Sequence, residues 1–311
     1  MRILATVLLT IGLGASAALP AQTRDDNWNR CRDNDPDLSI GGCSALIQSG
    51  TETIENLSTA FYNRGNAHRH KLELDGAIQD YDRALELNPG NANAFDNRGL
   101  AYTLKGDYVH AISDFDDALR FNPGNVTALA NRGAAYTRTG DFRRAISDYD
   151  QALGINPRNA NALNSRGRTY FYLGRFAAAR QDFAAAGKLN PRDPYSALWS
   201  YLASGRAGHD GRNELEKNAK QINMTAWPGQ VISLYLGKAT QEMVLSAAND
   251  PDAKKALDWH CEAYFYLGED ALVGGRRSEA KCLFQQSINT GATSFAEYAG
   301  AQAELKLLQN M

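Results

Sequence analysis

The chain has 311 residues, of which 43% are hydrophobic, 22% are charged and 27 are glycines. That is enough apolar material for a sizeable core, and the composition lacks the polar bias of a disordered chain. A formal net charge of −2 provides no bulk attraction to phosphate, so no nucleic-acid partner is expected.

In chain order, Arg2 precedes an apolar run from Ile3 to Gly14, and small residues follow at Ala15-Ser16-Ala17 and Leu19-Pro20-Ala21. This is the layout of a secretory signal peptide cleaved after Ala17 or Ala21. The run is shorter than the ~20 apolar residues that span a bilayer. A periplasmic or secreted location is therefore expected. No cysteine stands at either cleavage site, so a lipid anchor is not indicated.

Cys31, Cys43, Cys261 and Cys282 lie beyond that segment, and an exported chain meets a compartment in which thiols pair. Four cysteines allow three connectivities. Cys31 and Cys43 flank Asp33-Asn34-Asp35-Pro36, a turn signal that folds 26–32 back on 37–48 as a helical hairpin, and a disulfide clamping that hairpin is the preferred pairing. Cys261 and Cys282 would sit on antiparallel helices about 10 Å apart along the axis, at ~1.5 Å rise per residue, beyond the roughly 7 Å Cα span of a disulfide.

From residue 58 onward the sequence repeats. Asn63-Arg64-Gly65 returns at Asn97-Arg98-Gly99 and Asn131-Arg132-Gly133, and Ser165-Arg166-Gly167 nearly repeats it, each 34 residues after the last. Alanines keep the same interval at Ala77, Ala111, Ala145 and Ala179 and at Ala84, Ala118, Ala152 and Ala186; so do Tyr81, Phe115, Tyr149 and Phe183, and Pro89, Pro123, Pro157 and Pro191. Within one period, Phe95, Gly99 and Tyr102 recur at helical spacing, Gly106-Asp107 turns the chain, and Ala111, Phe115 and Ala118 define a second helix. Glycine and the paired alanines remove bulk where two helices approach, and the aromatic fills the space between them. Each Asn-Pro pair ends a second helix, and the Asn or Asp shortly after it caps the next. The arginine of each NRG is expected along a helix flank.

In these residues the chain resembles the tetratricopeptide repeat (TPR) family, in register over 58–91, 92–125, 126–159 and 160–193. The first copy departs from the pattern twice, with His68 where Tyr102, Tyr136 and Tyr170 stand and Leu72 where the turn glycine belongs. A degenerate copy runs over 261–294. The resemblance implies an all-α fold, a right-handed superhelix of helix-turn-helix units.

With Phe95, Gly99 and Tyr102 buried, Asn93, Asp96, Asn97, Leu100 and Leu104 form a second face of their helix. In the family that face lines a concave groove whose asparagines hold the backbone of an extended peptide. An amide that both donates and accepts suits that task. The implied groove residues are Tyr62, Asn63, Asn66, Asn93, Asn97, Thr127, Asn131, Arg138, Asn164, Arg168 and Tyr172. The alternative is that the asparagines bond neighbouring repeats to one another. Tyr62, Thr127 and Asn131 stand where a carboxylate-clamping TPR carries basic residues, so that specialised role is absent.

Residues 194–260 break the period but remain helical in character, with apolar helices at 194–203, 227–237 and 238–248 and breaks at Ser204-Gly205 and Gly237. With Cys261 to Gly268 and a final helix near 295–308, this half resembles the new-lipoprotein-I family of bacterial envelope TPR proteins. That resemblance implies an adaptor gathering proteases and cell-wall hydrolases on an often dimeric scaffold, although the lipid-accepting cysteine of the family is missing here. The organisation expected is a leader at 1–21, a hairpin at 22–57, four repeats at 58–193 and an irregular helical region at 194–311 that ends in a capping helix and caps the stack. Two further readings stand beside the adaptor: a holder of unfolded envelope proteins, and a structural subunit with an empty groove.

No catalytic constellation accompanies these repeats. The five histidines form no metal-ligand pair on one helical face, and neither a nucleophile elbow nor a phosphate-binding glycine loop is present. Ser278-Glu279-Ala280-Lys281 matches an SxxK pattern without its companion elements. A binding protein for a protein or peptide partner is expected, with no enzymatic activity, metal, cofactor or small-molecule substrate.

Overall fold

The computed structural model describes residues 22–293 and 295–309, so the apolar run at 3–14 and both expected cleavage sites lie outside the described residues. Among the described residues there are seventeen helices and no strand. α1 (Arg24–Cys31) and α2 (Pro36–Ser49) form the N-terminal hairpin, and Cys31 and Cys43 are bonded across it as a disulfide. Cys261 and Cys282 are free thiols, the first buried and the second exposed.

Four antiparallel pairs follow: α3 (Ile54–His70) with α4 (Leu74–Leu87), α5 (Ala92–Lys105) with α6 (Tyr108–Phe121), α7 (Val126–Arg138) with α8 (Phe142–Ile155), and α9 (Ala160–Tyr172) with α10 (Phe176–Leu189). Their boundaries have local causes. The side chains of Asn91, Asn125 and Asn159 accept hydrogen bonds from backbone N–H groups in the first turns of α5, α7 and α9, and Asp107 and Asp141 do the same for α6 and α8. These bonds satisfy donors that a helix start leaves open. Gly106, Gly140 and Gly174 take φ of 80°, 81° and 71° between the paired helices. Leu72 occupies that place in the first repeat and is forced to φ 60°. His68 sits against the same turn, its Nδ1 2.6 Å from Glu73 Oε2.

The periodic residues make a series of buried clusters along the stack. The eight periodic alanines are fully buried, as are Tyr81 and Phe115, while Tyr149 and Phe183 are all but buried. A Cβ on Gly99 would come within 2.8 Å of the Phe115 ring, and one on Gly167 equally close to Phe183. Side-chain bulk is excluded there by the aromatic seated between the helices.

Seven helices complete the chain: α11 (Pro194–Arg206), α12 (Arg212–Ala219), α13 (Gly229–Tyr235), α14 (Gln241–Ala247), α15 (Ala253–Val273), α16 (Arg277–Asn289) and α17 (Ala296–Gln309). Three boundaries differ from the sequence expectation. α11 runs through Ser204-Gly205 to Arg206, because the chain finds its left-handed residue at Gly208 instead, φ 79°. α12 was not expected; its single buried residue, Leu215, gives too weak a periodic signal. α15 begins eight residues before Cys261, capped by Asp252, whose side chain accepts from the N–H groups of Lys254 and Lys255.

Trp199 of α11 joins the last repeat to this region. Its ring centroid lies 5.1 Å from that of Phe171, 5.8 Å from Phe183 and 5.2 Å from Phe265. The chain then turns back, and α17 packs against α15, α16 and α9.

Candidate functional site

The first helices of the repeats carry two parallel ladders, one of arginines and one of asparagines along the face that the sequence reading assigns to a groove. In the arginine ladder, each arginine of an NRG is engaged by acids. Arg64, Arg98, Arg132 and Arg166 each close a two-pronged hydrogen-bonded pair on the aspartate sixteen residues on: Asp80, Asp114, Asp148 and Asp182. Those aspartates are 3–6% exposed, and the fork of a guanidinium matches the two carboxylate oxygens. The third nitrogen reaches into the preceding unit, from Arg98 to Asp82, Arg132 to Asp116 and Arg166 to Asp150, at 2.5–2.6 Å. Arg64 has no preceding repeat and donates instead to Ser44 Oγ of α2. The signal for this ladder was present in the sequence, because both sets of aspartates keep the 34-residue interval.

The groove ladder begins at the disulfide. Asn63 Nδ2 lies 3.9 Å from Cys31 Sγ, and Asn63, Asn66 and His70 share a polar recess of about 270 Å³ with Arg32, Asp33 and Asn34. Asn97 donates to Tyr62 Oη at 3.0 Å and to Asn66 Oδ1 at 2.9 Å, and Tyr81 Oη also donates to Asn66 Oδ1. Asn131 donates to Asp96 Oδ1 at 3.2 Å. Burial pushes the Asp96 carboxyl up, and the Asn131 amide partly counters this by stabilising the anion. Asn164 turns to α11, accepting from Ser196 Oγ at 3.0 Å. Asn93 and Thr127 are exposed.

The structure therefore brings Tyr62, Asn66 and Asn97 together and places Asn131 on the preceding unit's Asp96. The amide donors of Asn97 and Asn131 are engaged between repeats, which is the alternative reading of the asparagine ladder. Among the described residues no hydrogen bond reaches Oδ1 of either, and both side chains are half-buried. Between them the floor is small and apolar, with Leu100 and Ala134 half-buried and Leu104 53% exposed.

The far end is closed, over residues that the sequence reading leaves open to a ligand. Arg138 Nη1 donates to the carbonyls of Thr293 and Phe295 at 2.9 and 3.0 Å, and Tyr172 Oη donates to that of Ala296 at 2.7 Å. Arg168, which donates to Ser165 Oγ at 3.3 Å, lines a recess of about 90 Å³ there with Arg138, Tyr172, Ala296 and Ala299. The start of α17 thus covers Arg138, Arg168 and Tyr172.

Stacked helix pairs define an α-solenoid of helix-turn-helix repeats. The repeats themselves are tetratricopeptide repeats: sequence profiles with that description match residues 58–91, 126–159 and 160–193. No curated protein matches the chain. Among solved structures, the C-terminal part of a TPR repeat-containing protein from Cytophaga hutchinsonii is similar over 86% of this chain and 95% of its own, at 15% identity and a TM-score of 0.53. YrrB, described as a TPR protein with an unusual peptide-binding site, is similar over 63% of this chain and 97% of its own, at 21% identity and a TM-score of 0.50. At these identities the likeness is one of fold.

Proposed function

We propose that the chain is an interaction scaffold that takes an extended segment of a partner protein along the first helices of residues 58–138. One observation carries this reading. In the first three repeats, the acceptors of Asn97 and Asn131 that no described hydrogen bond engages, exposed Asn93 and Thr127 and the apolar Leu104 share one face, whereas Arg138 at the end of the third repeat and Tyr172 in the fourth are covered through the carbonyls of 293, 295 and 296. Acceptors of this kind can meet backbone N–H groups without reading sequence, and the apolar floor suits apolar side chains between them. The peptide-binding site in the description of YrrB agrees with that use of the fold. We further propose that it works in an oxidising envelope compartment, as the leader-like 1–21 and the disulfide of the hairpin suggest, with proteases or cell-wall hydrolases as partners. A self-associating scaffold belongs to the same proposal.

The test is capture of envelope proteins by residues 22–311, with crosslinking and mass spectrometry, beside a variant with Asn93, Leu104 and Thr127 each changed to Arg. Crosslinks to α3, α5 and α7 that vanish in a still-folded variant support the groove. Capture of many unrelated chains points to a holdase. Crosslinks confined to the convex face or to 194–311, unchanged by the substitutions, sink the groove reading and leave the structural-subunit reading.

A further inference from the structure

α15 and α17 meet through acids. α15 carries Glu262 and Glu269, α17 carries Glu297 and Glu304, and a spacing of seven residues puts each pair on one face of its helix. All four are 4% exposed or less. Glu262 faces Glu297, and Glu269 faces Glu304.

The groups around them do not neutralise four carboxylates. Glu262 accepts from Tyr195 Oη at 3.0 Å and Trp227 Nε1 at 2.8 Å, with Asp258 one turn earlier on its own helix. Glu297 accepts from Tyr266 Oη at 2.9 Å and lies beside Tyr172, beyond which stand Arg138 and Arg168. Glu269 and Glu304 share a single cation: Arg206 Nη1 lies 3.1 Å from Glu269 Oε2 and 2.8 Å from Glu304 Oε2. It is aligned for a hydrogen bond with Glu269 only, leaving Glu304 held by charge. Tyr235, near Glu269, spends its hydroxyl on the Tyr266 carbonyl. Lys306, the basic residue in the last turn of α17, is exposed.

We propose that α17 is a proton-dependent plug of the groove, seated while each Glu–Glu pair holds a proton and loosened as those protons leave. Two like charges cannot both ionise at close range in a dry interface without displacing something. α17 is what can be displaced, since it packs on α9, α15 and α16, whereas α15, which carries the other acid of each pair, is also held by α11, α13 and α14. Burial, and then the facing carboxylate, pushes Glu262 and Glu269 up to about 8, and burial raises Glu304. An unfolded glutamate titrates near ~4.3. The seated helix therefore binds more protons than the free one, so seating is strongest in acid and weakens as pH rises toward about 8, by up to roughly tenfold per pH unit for each pair.

The consequence for the groove follows from what α17 covers. Its first residues occupy Arg138 and Tyr172 through backbone carbonyls at 293, 295 and 296, contacts that any polypeptide could supply. Release would extend the open groove into the fourth repeat. That consequence, unlike the plug itself, rests on the groove reading.

Hydrogen exchange of the full chain, read by mass spectrometry from pH 6 to 9 and corrected for the intrinsic pH dependence of amide exchange, tests the plug without any ligand. Protection of 296–309 should fall with rising pH by up to about tenfold per unit for each pair, about a hundredfold where both pairs titrate together, while the helices of 58–155 hold. Glu262→Gln with Glu269→Gln, which imitates the protonated acids, should keep 296–309 protected at pH 9. A flat profile in the wild-type chain, or a slope that survives in the Gln variant, overturns the proposal. If the double variant does not fold, ¹³C chemical shifts of the wild-type glutamate carboxyls decide, because the plug requires side chains still titrating near pH 8. Failure of peptide capture would leave this exchange slope in place, and a flat slope would leave capture by α3, α5 and α7 in place.

Discussion

Removing the Arg132 guanidinium should cost more than removing any exposed charge of the ladder, and the structure sets the ranking. Arg132 closes two hydrogen bonds on Asp148, whose side chain is 4% exposed, and one on Asp116, whose side chain is 53% exposed. Arg132→Met leaves Asp148 as an uncompensated buried carboxylate, a change that costs about 3–5 kcal/mol. Asp116→Ala removes only a solvent-screened partner, for about 0.2–1 kcal/mol. At about 2–4 °C per kcal/mol for a domain of this size, the first substitution should lower the melting midpoint by roughly 6–20 °C and the second by about 4 °C at most. Thermal unfolding followed by circular dichroism at 222 nm measures both. Equal costs for the two variants, or a loss below about 1 kcal/mol for Arg132→Met, would refute the view that the buried prong holds the units together.

Leu72→Gly should stabilise the chain by about 0.5–1 kcal/mol, since the left-handed conformation costs a leucine about 1–2 kcal/mol and part of that gain is returned as glycine's extra unfolded-state freedom; a lowered urea midpoint would contradict it. Changing Cys31 and Cys43 together to Ser should cost about 3 kcal/mol, from a bridge spanning 12 residues, and reductant should produce a similar loss in the wild-type chain but none in the variant. Trp199→Ala should cost about 3–5 kcal/mol through the cavity it leaves among Phe171, Phe183 and Phe265. Limited proteolysis of that variant should cut first within 194–309, and cutting first within 58–155 would argue against Trp199 as the joint.

The repeats were legible because every determinant is local and recurs: the capping Asn, the packing glycine and the terminating Asn-Pro each act within one helix of where they stand. The hairpin disulfide was legible for the same reason, with one turn between its cysteines. The partners of the arginines went unread because a helix face shows where a side chain points and not what it finds sixteen residues away on the next helix. The groove was half legible. Asn63, Asn97 and Asn131 do lie on one stripe, but whether their donors meet a ligand or the previous repeat depends on stacking distance, which periodicity does not encode. The closure over Arg138 and Tyr172 had no signal at all, since Arg138 and Thr293 are 155 residues apart. The four acids of α15 and α17 are spaced like ordinary solvated residues, and only packing makes them unusual.

The arginine ladder also has an end. The next arginine in the series would be residue 200 and the next linking aspartate residue 184, and the chain has Ser200 and Ala184 there. Each of the three junctions between consecutive repeats is cross-braced by a guanidinium gripping both neighbours, whereas the junction after the fourth lacks that brace and rests on the rings packed around Trp199 and the hydrogen bond from Ser196 to Asn164. Rings slide past one another more readily than a forked ion pair can shear. The molecule is thus built as a stiff, evenly wound spring carrying a more compliant head, and bending under load should gather at α10 and α11.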